Sequence, residues 1–401
     1  MNLIPRNENE AVEIVRSAVA GLTPLAIGGG NTRSGFGDPA KGVRSVSSRD
    51  LSGIVNYAPA ELTMTVKAGT SVNEVAATLE ASSQMLAFEP MDHRGVMGTA
   101  GIPTIGGVFA ANVSGPRRYV AGAARDSLLG IRFINGKSEL IRAGGRVMKN
   151  VTGLDLVKLV AGSHGTLGLL TEVTFRVLPI PQTEDTIVIS GLSDADAVMA
   201  MASAMALSLE VSGAAHLPPS VGGLFLDGGL HEGGATLLRL EGRSASVAAR
   251  AQVLAAKMAA WGGVTRLGEE DSKTVWRQVR DVHPYCDGTQ KPLWRISTAP
   301  SVGHRLVAAM ARESTIDAFY DWQGGLIWMR MEDEAESERL RRHIKALGGG
   351  HATLMRASDA IRAGTPAFEP QSNAINLLSA RVKQKLDPAG IFNPGKMGVT
   401  F

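Results

Sequence analysis

Cysteine is nearly absent from this chain: Cys286 stands alone among 401 residues. That excludes an internal disulfide, a four-cysteine iron–sulfur cluster and an all-cysteine zinc site within the chain, and it suits a reducing compartment. No sign of charge dominates. The 41 basic and 38 acidic residues leave a net charge of +3, and the basic residues are dispersed, so charge makes no case for nucleic-acid binding. A run of about 18 apolar residues is also missing, so no membrane-spanning helix is expected. The opening MNLIPRNENEAVEIVRSAV lacks a basic stretch followed by an apolar one, so no secretory signal is expected.

The two commonest nucleotide motifs fail as well. A dinucleotide fingerprint needs G-x-G-x-x-G opening a helix. Gly28 and Gly30 supply its start, but Arg33 occupies the third glycine's place. A phosphate loop needs a glycine five residues before G-K-[ST]. Gly136-Lys137-Ser138 supplies the triplet, but Ile131 stands where that glycine belongs.

Glycine, in contrast, is abundant, and it clusters. The 47 glycines include two dense stretches, PLAIGGGNTRSGFG (Pro24 to Gly37) and GTAGIPTIGGVFAANVSGPRRYVAGAARD (Gly98 to Asp126). Such loops let the backbone reach positive φ and let amides approach an anion without Cβ interference. Two of them around one ligand suggest a dinucleotide pyrophosphate; a single one would fit a tight surface turn equally well.

Periodicity places these stretches among regular elements. Residues 8–20 read as a helix with Val12, Val15 and Val19 on one face. PLAI, VRSVSS and LTMTVKAG read as strands. Ser71 and Glu74 form a capping box ahead of Val72, Val75, Ala76 and Leu79. DSLLGIRFINGKSELIRAGG reads as a hairpin with a two-residue turn at Asn135-Gly136. The strand LLTEVTFRVLPIPQ ends at Pro179 and Pro181, which sets the main expected domain boundary. Beyond it, strand, helix and double glycine occur twice, as ATLLRLEG to Gly262-Gly263 and as GLIWMRME to the glycines before HATLMR. This predicts a repeated β-α-β element and an antiparallel sheet with helices on one face. A helix broken by Pro388 and a turn-rich tail close the chain.

PLAIGGGNTRSGFG, IGGVFAANVSGPRR, ARDSLLGIRFI, MKNVTGLDLVKLVAGSHGTLGLLTEVTFRVLP and LDPAGIFNPGKM follow one another in this order. In them the chain resembles the FAD-binding flavoproteins of the vanillyl-alcohol oxidase and p-cresol methylhydroxylase (PCMH) type, and among these the E-subunit family of bacterial glycolate oxidases. The resemblance implies an α+β fold: a two-subdomain PCMH-type FAD-binding domain over 1–182, an α+β cap domain over 183–378, and a segment over 379–401 that returns to the FAD domain. It implies that Ile27, Gly28, Gly29, Gly30, Asn31 and Thr32 offer amides to the pyrophosphate of FAD, with Pro103, Thr104, Ile105, Gly106 and Gly107 as the second wall. Asn112, Ser114 and Gly115 would continue towards the flavin. Arg125 and Asp126 would lie near the cofactor, or simply fix the loop. Gly162, Gly165, Thr166 and Leu167 would lie on the adenine side, with Val173 beyond. His164 replaces the family's glutamate in Gly-Ser-Glu-Gly-Thr and is expected to be a surface or loop histidine. Residues 24–37 hold no histidine and Cys286 lies far downstream, so FAD is expected to be non-covalent.

The catalytic relatives carry a histidine-rich metal signature, which this sequence lacks. His231 and Glu232 in GLHEGGATLL are expected to be loop residues, and no metal is expected. No catalytic residue is assigned; the candidates are Arg295, Arg330 and His351. In LWRIS, Leu293, Arg295 and Ser297 share a face, as Trp328 and Arg330 do in WMRM. An arginine there is costly unless paired or used, and a solvent-facing and a carboxylate-clamping role both fit. Trp294, Trp322 and Trp328 read as core or interface residues. The resemblance implies a glycolate oxidase subunit working beside a catalytic FAD subunit and an iron–sulfur subunit on a small 2-hydroxy acid. Its place would be the cytoplasm, with any contact to the inner face of the membrane made through partners. The alternatives are a self-sufficient FAD-dependent 2-hydroxy-acid dehydrogenase or oxidase, and a degenerate flavoprotein fold kept for assembly.

Overall fold

A computed structural model of the protein describes residues 2–37, 42–146, 154–230 and 233–398. The first helix, Glu8–Ala20, begins where the Asn7 side chain accepts from the Glu10 amide, satisfying one of the free N–H groups of the first turn. It buries Ala11, Val15 and Ala18, so the apolar stripe is turned slightly from the expected one. Strands β1 (Leu25–Gly28) and β2 (Arg44–Ser47) pair in parallel behind it.

Five further strands form an antiparallel sheet: β3 (Ile54–Ala58), β4 (Thr63–Lys67), β5 (Leu128–Ile134), β6 (Leu140–Gly144) and β7 (Leu169–Arg176), in the order β3-β4-β7-β5-β6. Between β4 and β5 lies the helix Val72–Glu80, capped by the Ser71 hydroxyl accepting from the Glu74 amide at 3.0 Å, which is one of the two bonds of the expected capping box. The β5–β6 hairpin differs from its sequence reading. Pairing stops at Ile134 and Leu140, and Asn135 organises the longer loop, its side-chain oxygen accepting from the amides of Lys137 and Glu139. Gly136 is needed there for another reason: a Cβ would lie 2.5 Å from Asp387.

After Gln182 the chain enters an eight-stranded sheet. Its members are β8 (Thr183–Ser190), β9 (Val211–Leu217), β10 (Ala235–Gly242), β11 (Gly263–Leu267), β12 (Leu293–Ser297), β13 (Ile316–Asp321), β14 (Leu326–Met331) and β15 (His351–Arg356). Their order is β11-β8-β10-β9-β13-β14-β12-β15, antiparallel at every pairing. Two β-α-β-β-α-β units meet edge to edge at β9 and β13, where the register is the single pair His216↔Tyr320. Each unit is larger than the strand–helix–strand element read from the sequence. Helices Asp194–Met205, Ser244–Met258, Gly303–Ala311 and Ser337–Ala346 cover one face with their buried apolar residues. A fifth helix, Glu269–Arg280, departs from the one-face expectation. It buries Val275, Trp276 and Val279 on the opposite face, in the core shared with the first half.

That shared core runs from Phe88, Phe109 and Phe175 to Leu217, Phe319 and Trp328. A buried charge network also crosses it. Arg239 on β10 donates to Glu89 at 2.9 and 3.1 Å, and Arg117 donates to Glu241. Burial alone would raise the Glu89 pKa, but Arg239 and Arg117 outweigh it and hold it at about 2. The chain's last segment returns to the first half. Helix Asn373–Leu386 ends at Asp387, and the Leu25 amide donates to the Ile391 carbonyl at 2.7 Å. The buried Lys383 ammonium anchors this return, donating to Asp387 and to the carbonyls of Thr166 and Phe392.

Candidate functional site

A cavity of about 480 Å³ opens where β1 runs out into the first glycine stretch. Gly28 to Arg33 form one wall; Pro103, Thr104, Gly106 and Gly107 form another; Ser163, His164 and Gly165 form a third. The glycines bring the first two walls together. A Cβ on Gly30 would sit 1.7 Å from the Ile102 carbonyl oxygen, and one on Gly101 equally close to that of Gly30. A Cβ on Gly29 would sit 2.0 Å from the Thr104 hydroxyl. Only residues without side chains allow backbone to meet backbone this closely. Asn31, at φ 58°, turns the first stretch, and the Ser47 hydroxyl fixes it by donating to the Gly29 carbonyl at 2.7 Å.

The second stretch does not stay a loop. It becomes the helix Ile105–Ala110, capped by the Thr104 hydroxyl, which accepts from the Gly107 amide. Gly106 lets this helix lie on the end of β4, since a Cβ there would come 2.7 Å from Ala68. Gly107 differs: its nearest neighbours would be the Thr104 hydroxyl at 3.2 Å and Arg33 at 3.7 Å, and it lines the cavity.

The cavity's electrostatics are one-sided. Arg33, Arg362 and Lys396 line it together with His93 and His164, and no Asp or Glu does so among the described residues. Arg33 donates to the Gly107 carbonyl and pairs with no carboxylate among the described residues. Burial lowers its pKa to about 10. His93 is held down at about 3 by burial first and Arg33 second. His164 is likewise held well below its usual range by burial, Arg33 and Lys396. Both imidazoles are therefore neutral near pH 7. The Ser163 hydroxyl is buried without a hydrogen-bond partner, an arrangement that calls for a ligand. A glycine cradle, an arginine without a carboxylate partner among the described residues and a spare hydroxyl fit the pyrophosphate of a dinucleotide.

Of the residues expected to hold the cofactor, Ile27, Gly28, Gly29, Gly30, Asn31, Thr32, Pro103, Thr104, Gly106, Gly107 and Gly165 line this cavity. The others lie elsewhere. Ile105, Leu167 and Val173 are core residues. Asn112 and Ser114 accept from the backbone amides of Arg125 and Ala124. Asp126 accepts from the Ala123 amide, Arg125 is exposed, and Gly115 packs on Glu89. Gly162, at φ 85°, donates its amide to the Phe109 carbonyl, and the Thr166 hydroxyl donates to the Ser163 carbonyl. His164, expected to be a surface or loop histidine, lies in a loop with its ring turned inward. It stacks on Phe36 with centroids 5.1 Å apart and meets Phe368 edge-on. Residues missed from the sequence are Arg33, His93, Ser163, Arg362, Asn393 and Lys396. Asn393 ties the tail to the first and third walls, accepting from the Ile27 amide and donating to the His164 carbonyl. Its only sequence signal is its place in the FNPGKM tail.

The catalytic candidates separate. Arg330 is engaged by Asp287 at 2.6 Å and Asp317 at 2.9 Å, which argues for a structural role. Arg295 faces the first half and carries no such pair among the described residues. His351 lies opposite Ser297 on the neighbouring strand, its pKa lowered by burial, Arg295 and Arg118. Among the described residues no group of three His, Cys, Asp or Glu could hold a metal ion. His231 and Glu232 lie outside the described residues. No helix among the described residues is long and apolar enough to cross a membrane.

Comparisons with known proteins agree with this geometry. The FAD binding domain family matches residues 2–144. The chain is 34% identical over 386 residues to glycolate oxidase subunit GlcE of Escherichia coli (strain K12), covering 96% of each chain. It is 29% identical over 186 residues to glycolate oxidase subunit GlcD of Bacillus subtilis (strain 168), covering 46% of this chain and 38% of that one. Among solved structures, p-cresol methylhydroxylase with substrate bound superposes at a TM-score of 0.74 with 14% identity, over 99% of this chain and 88% of that one. An alkyldihydroxyacetonephosphate synthase superposes at 0.68 with 16% identity, over 98% and 76%. At these identities the structural likeness establishes the fold, the PCMH-type arrangement of a FAD-binding half and a cap.

Proposed function

The chain belongs to the FAD-binding family of glycolate oxidase subunit GlcE, and on that premise we propose that it is the FAD-binding subunit of a complex that oxidises glycolate to glyoxylate. The observation that carries the reading is the glycine-walled cavity with cations and, among the described residues, no carboxylate on its lining. FAD, when bound, supplies the acceptor for the hydride that leaves a 2-hydroxy acid. The chain's own residues have simpler tasks. The amides of Gly28 to Asn31 and the Arg33 guanidinium would hold the pyrophosphate. The Ser163 hydroxyl would donate to it or to the adjoining ribose. His93 and His164, kept neutral, would pack beside the cofactor without adding charge. Asn393 would hold the first and third walls at a fixed separation.

With one cysteine in the sequence, electrons need a partner to travel further, and an iron–sulfur subunit is the partner of matching chemistry. A catalytic FAD subunit is the second expected partner. One observation favours a self-sufficient dehydrogenase instead: Arg295 faces the first half with its charge unspent. Spectroscopy decides between them. The purified chain should be yellow, and acid should release all the colour into the supernatant, as non-covalent FAD requires. Millimolar glycolate should leave the flavin oxidised until partner subunits are added. Colour in the acid pellet would refute non-covalent binding, and rapid anaerobic bleaching of the isolated chain would select the self-sufficient reading.

A further inference from the structure

The helix Asn373–Leu386, which leads from the cap into the returning tail, is packed the wrong way round. A surface helix turns its apolar stripe to the core, since that packing supplies most of its stability. Here the one buried side chain is a lysine, Lys383. Ile375, Leu377 and Leu378 are 49, 63 and 63% exposed. Ile375, Leu378 and Val382 recur at i, i+3 and i+7 and so form one stripe. Ala374, also exposed, lies three residues from Leu377 and four from Leu378, and joins the two.

The charge beside this stripe is of one sign. From Asn373 to Leu386 the helix carries no acidic residue. Arg381 follows Leu377 by four residues and Lys385 follows Leu378 by seven, so both cations border the apolar surface. Lys137 stands on the β5–β6 loop, which abuts the helix end: the Gly136 amide donates to the Leu386 carbonyl at 2.7 Å. All three cations are exposed and form no ion pair among the described residues. The acids that flank the helix in the chain or share that loop are already engaged. Lys383 holds Asp387 at 2.7 Å, Arg341 holds Glu369 at 3.6 Å, and the Asn135 side chain donates to Glu139 at 2.7 Å.

These charges choose among the possible occupants. A second copy does not fit, because pairing two such helices in either direction sets cations against a surface that offers no carboxylate. An anionic bilayer fits poorly. Helices that lie on membranes combine a strongly basic face with anchors such as Trp or Phe, and this helix has no aromatic residue and only two exposed cations. A protein surface with an apolar centre and carboxylates at its rim fits both features. Position says which protein. Phe368, five residues ahead of the helix, meets His164 edge-on, and Lys383 near the helix end donates to the Thr166 carbonyl. Both ends are thus tied to the third wall of the cavity. A protein seated on the outer face would be separated from the cofactor cavity by the helix and that wall alone, which suits a partner that takes electrons.

We propose that the outer face of the helix Asn373–Leu386, with Arg381, Lys385 and Lys137 at its rim, is the docking surface for the iron–sulfur subunit, which would meet it with an apolar patch ringed by carboxylates. The inference rests on the proposed function for the identity of the partner.

The test measures binding of the purified holoprotein to the purified iron–sulfur subunit by calorimetry, with FAD content read from the absorption spectrum of the same sample. Wild-type protein should bind, and more weakly as salt rises. Leu378→Glu should weaken binding by about tenfold or more, with FAD content and melting temperature unchanged. Leu378→Met should bind like wild type. The double variant Arg381→Glu, Lys385→Glu should bind more weakly and lose most of the salt dependence. Met199→Glu, at an exposed apolar residue of the cap, should change nothing. An iron–sulfur subunit that binds every variant like wild type, or does not bind the yellow wild-type protein, would overturn the docking surface. The same variants are tested for binding to the purified catalytic FAD subunit and to phosphatidylserine vesicles, and for self-association by sedimentation. If Leu378→Glu abolishes one of these and leaves the iron–sulfur subunit bound, the choice of occupant is overturned. Glycolate oxidation by the reconstituted mixture reports on the functional reading separately. A mixture that assembles, comes apart in Leu378→Glu and never oxidises glycolate would support the docking surface and refute that reading.

Discussion

Gly30 and Gly107 look alike in the sequence and should respond in opposite ways to alanine. In Gly30→Ala the new methyl would lie 1.7 Å from the Ile102 carbonyl oxygen, where non-bonded heavy atoms need roughly 3.5 Å. Neither atom sits on a side chain that can swing away, so the two walls of the cavity must part. Overpacking of this kind costs about 1–3 kcal/mol, and the Ser47 bond to Gly29 beside it is put at risk. The apoprotein should melt earlier and FAD should bind poorly. In Gly107→Ala the methyl meets the Thr104 hydroxyl at 3.2 Å and little else. Within the helix Ile105–Ala110, replacing glycine by alanine contributes up to about 0.5–1 kcal/mol. The apoprotein should therefore be as stable as wild type or slightly more so. Its FAD affinity should still fall several-fold, because the methyl projects into the cavity beside Arg33. Thermal melts of FAD-stripped protein and fluorescence titrations with FAD separate the two effects. If Gly107→Ala destabilises the apoprotein as much as Gly30→Ala does, or binds FAD like wild type, the assignment of one glycine to packing and the other to the ligand is wrong.

The same contrast marks what could be read in advance. Capped helices and alternating strands were legible because their causes are local, as at Ser71 with Glu74 or in Thr63–Lys67. The cap repeat was visible for the same reason, since double glycines punctuate it. Strands such as Thr183–Ser190, buried on both faces, carry no alternation to find. The glycine stretches revealed that a ligand-sized opening lies between them, but not which atom each glycine accommodates. Gly29, Gly30, Gly101 and Gly106 make room for protein backbone or side chain, and only a partner's position in space shows that. The cavity's cations were illegible for a related reason: Arg33, Arg362 and Lys396 meet only after the tail folds back onto β1. Asn112, Ser114 and Asp126 show the converse. They sit in a cofactor-loop motif, yet each accepts a backbone amide nearby, a task short polar side chains perform in many loops.

The remaining expectations concern stability. Arg239→Ala leaves Glu89 and Glu241 buried with one cation fewer, and breaking such a pair costs about 3–5 kcal/mol; a urea midpoint within experimental error of wild type would refute the view of this network as the clamp between halves. Acid should weaken the network too. Glu89 is held at about 2 against an ordinary 4.5, so its contribution is present above pH 4.5 and lost as the pH falls towards 2, a loss that Glu89→Gln should abolish. Between pH 4.5 and 6.5 two other groups oppose each other. His93, held at about 3 in the fold against 6.5 ordinarily, takes its proton in the unfolded chain first, so it lowers stability as the pH falls. Asp321, raised to about 7 from 3.8, keeps its proton in the fold and raises stability over the same interval. Each full proton of difference changes the slope by about 1.4 kcal/mol per pH unit. Relative to wild-type apoprotein, His93→Asn should therefore become more stable on acidification through this window. Asp321→Asn, which still accepts from the Trp322 amide, should become less so. Urea midpoints at pH 6.5, 5.5 and 4.5 give the slopes directly. Two variants with the slope of wild type would show that both side chains meet water freely, and that the cavity wall and the seat of Trp322 are not the dry surfaces described.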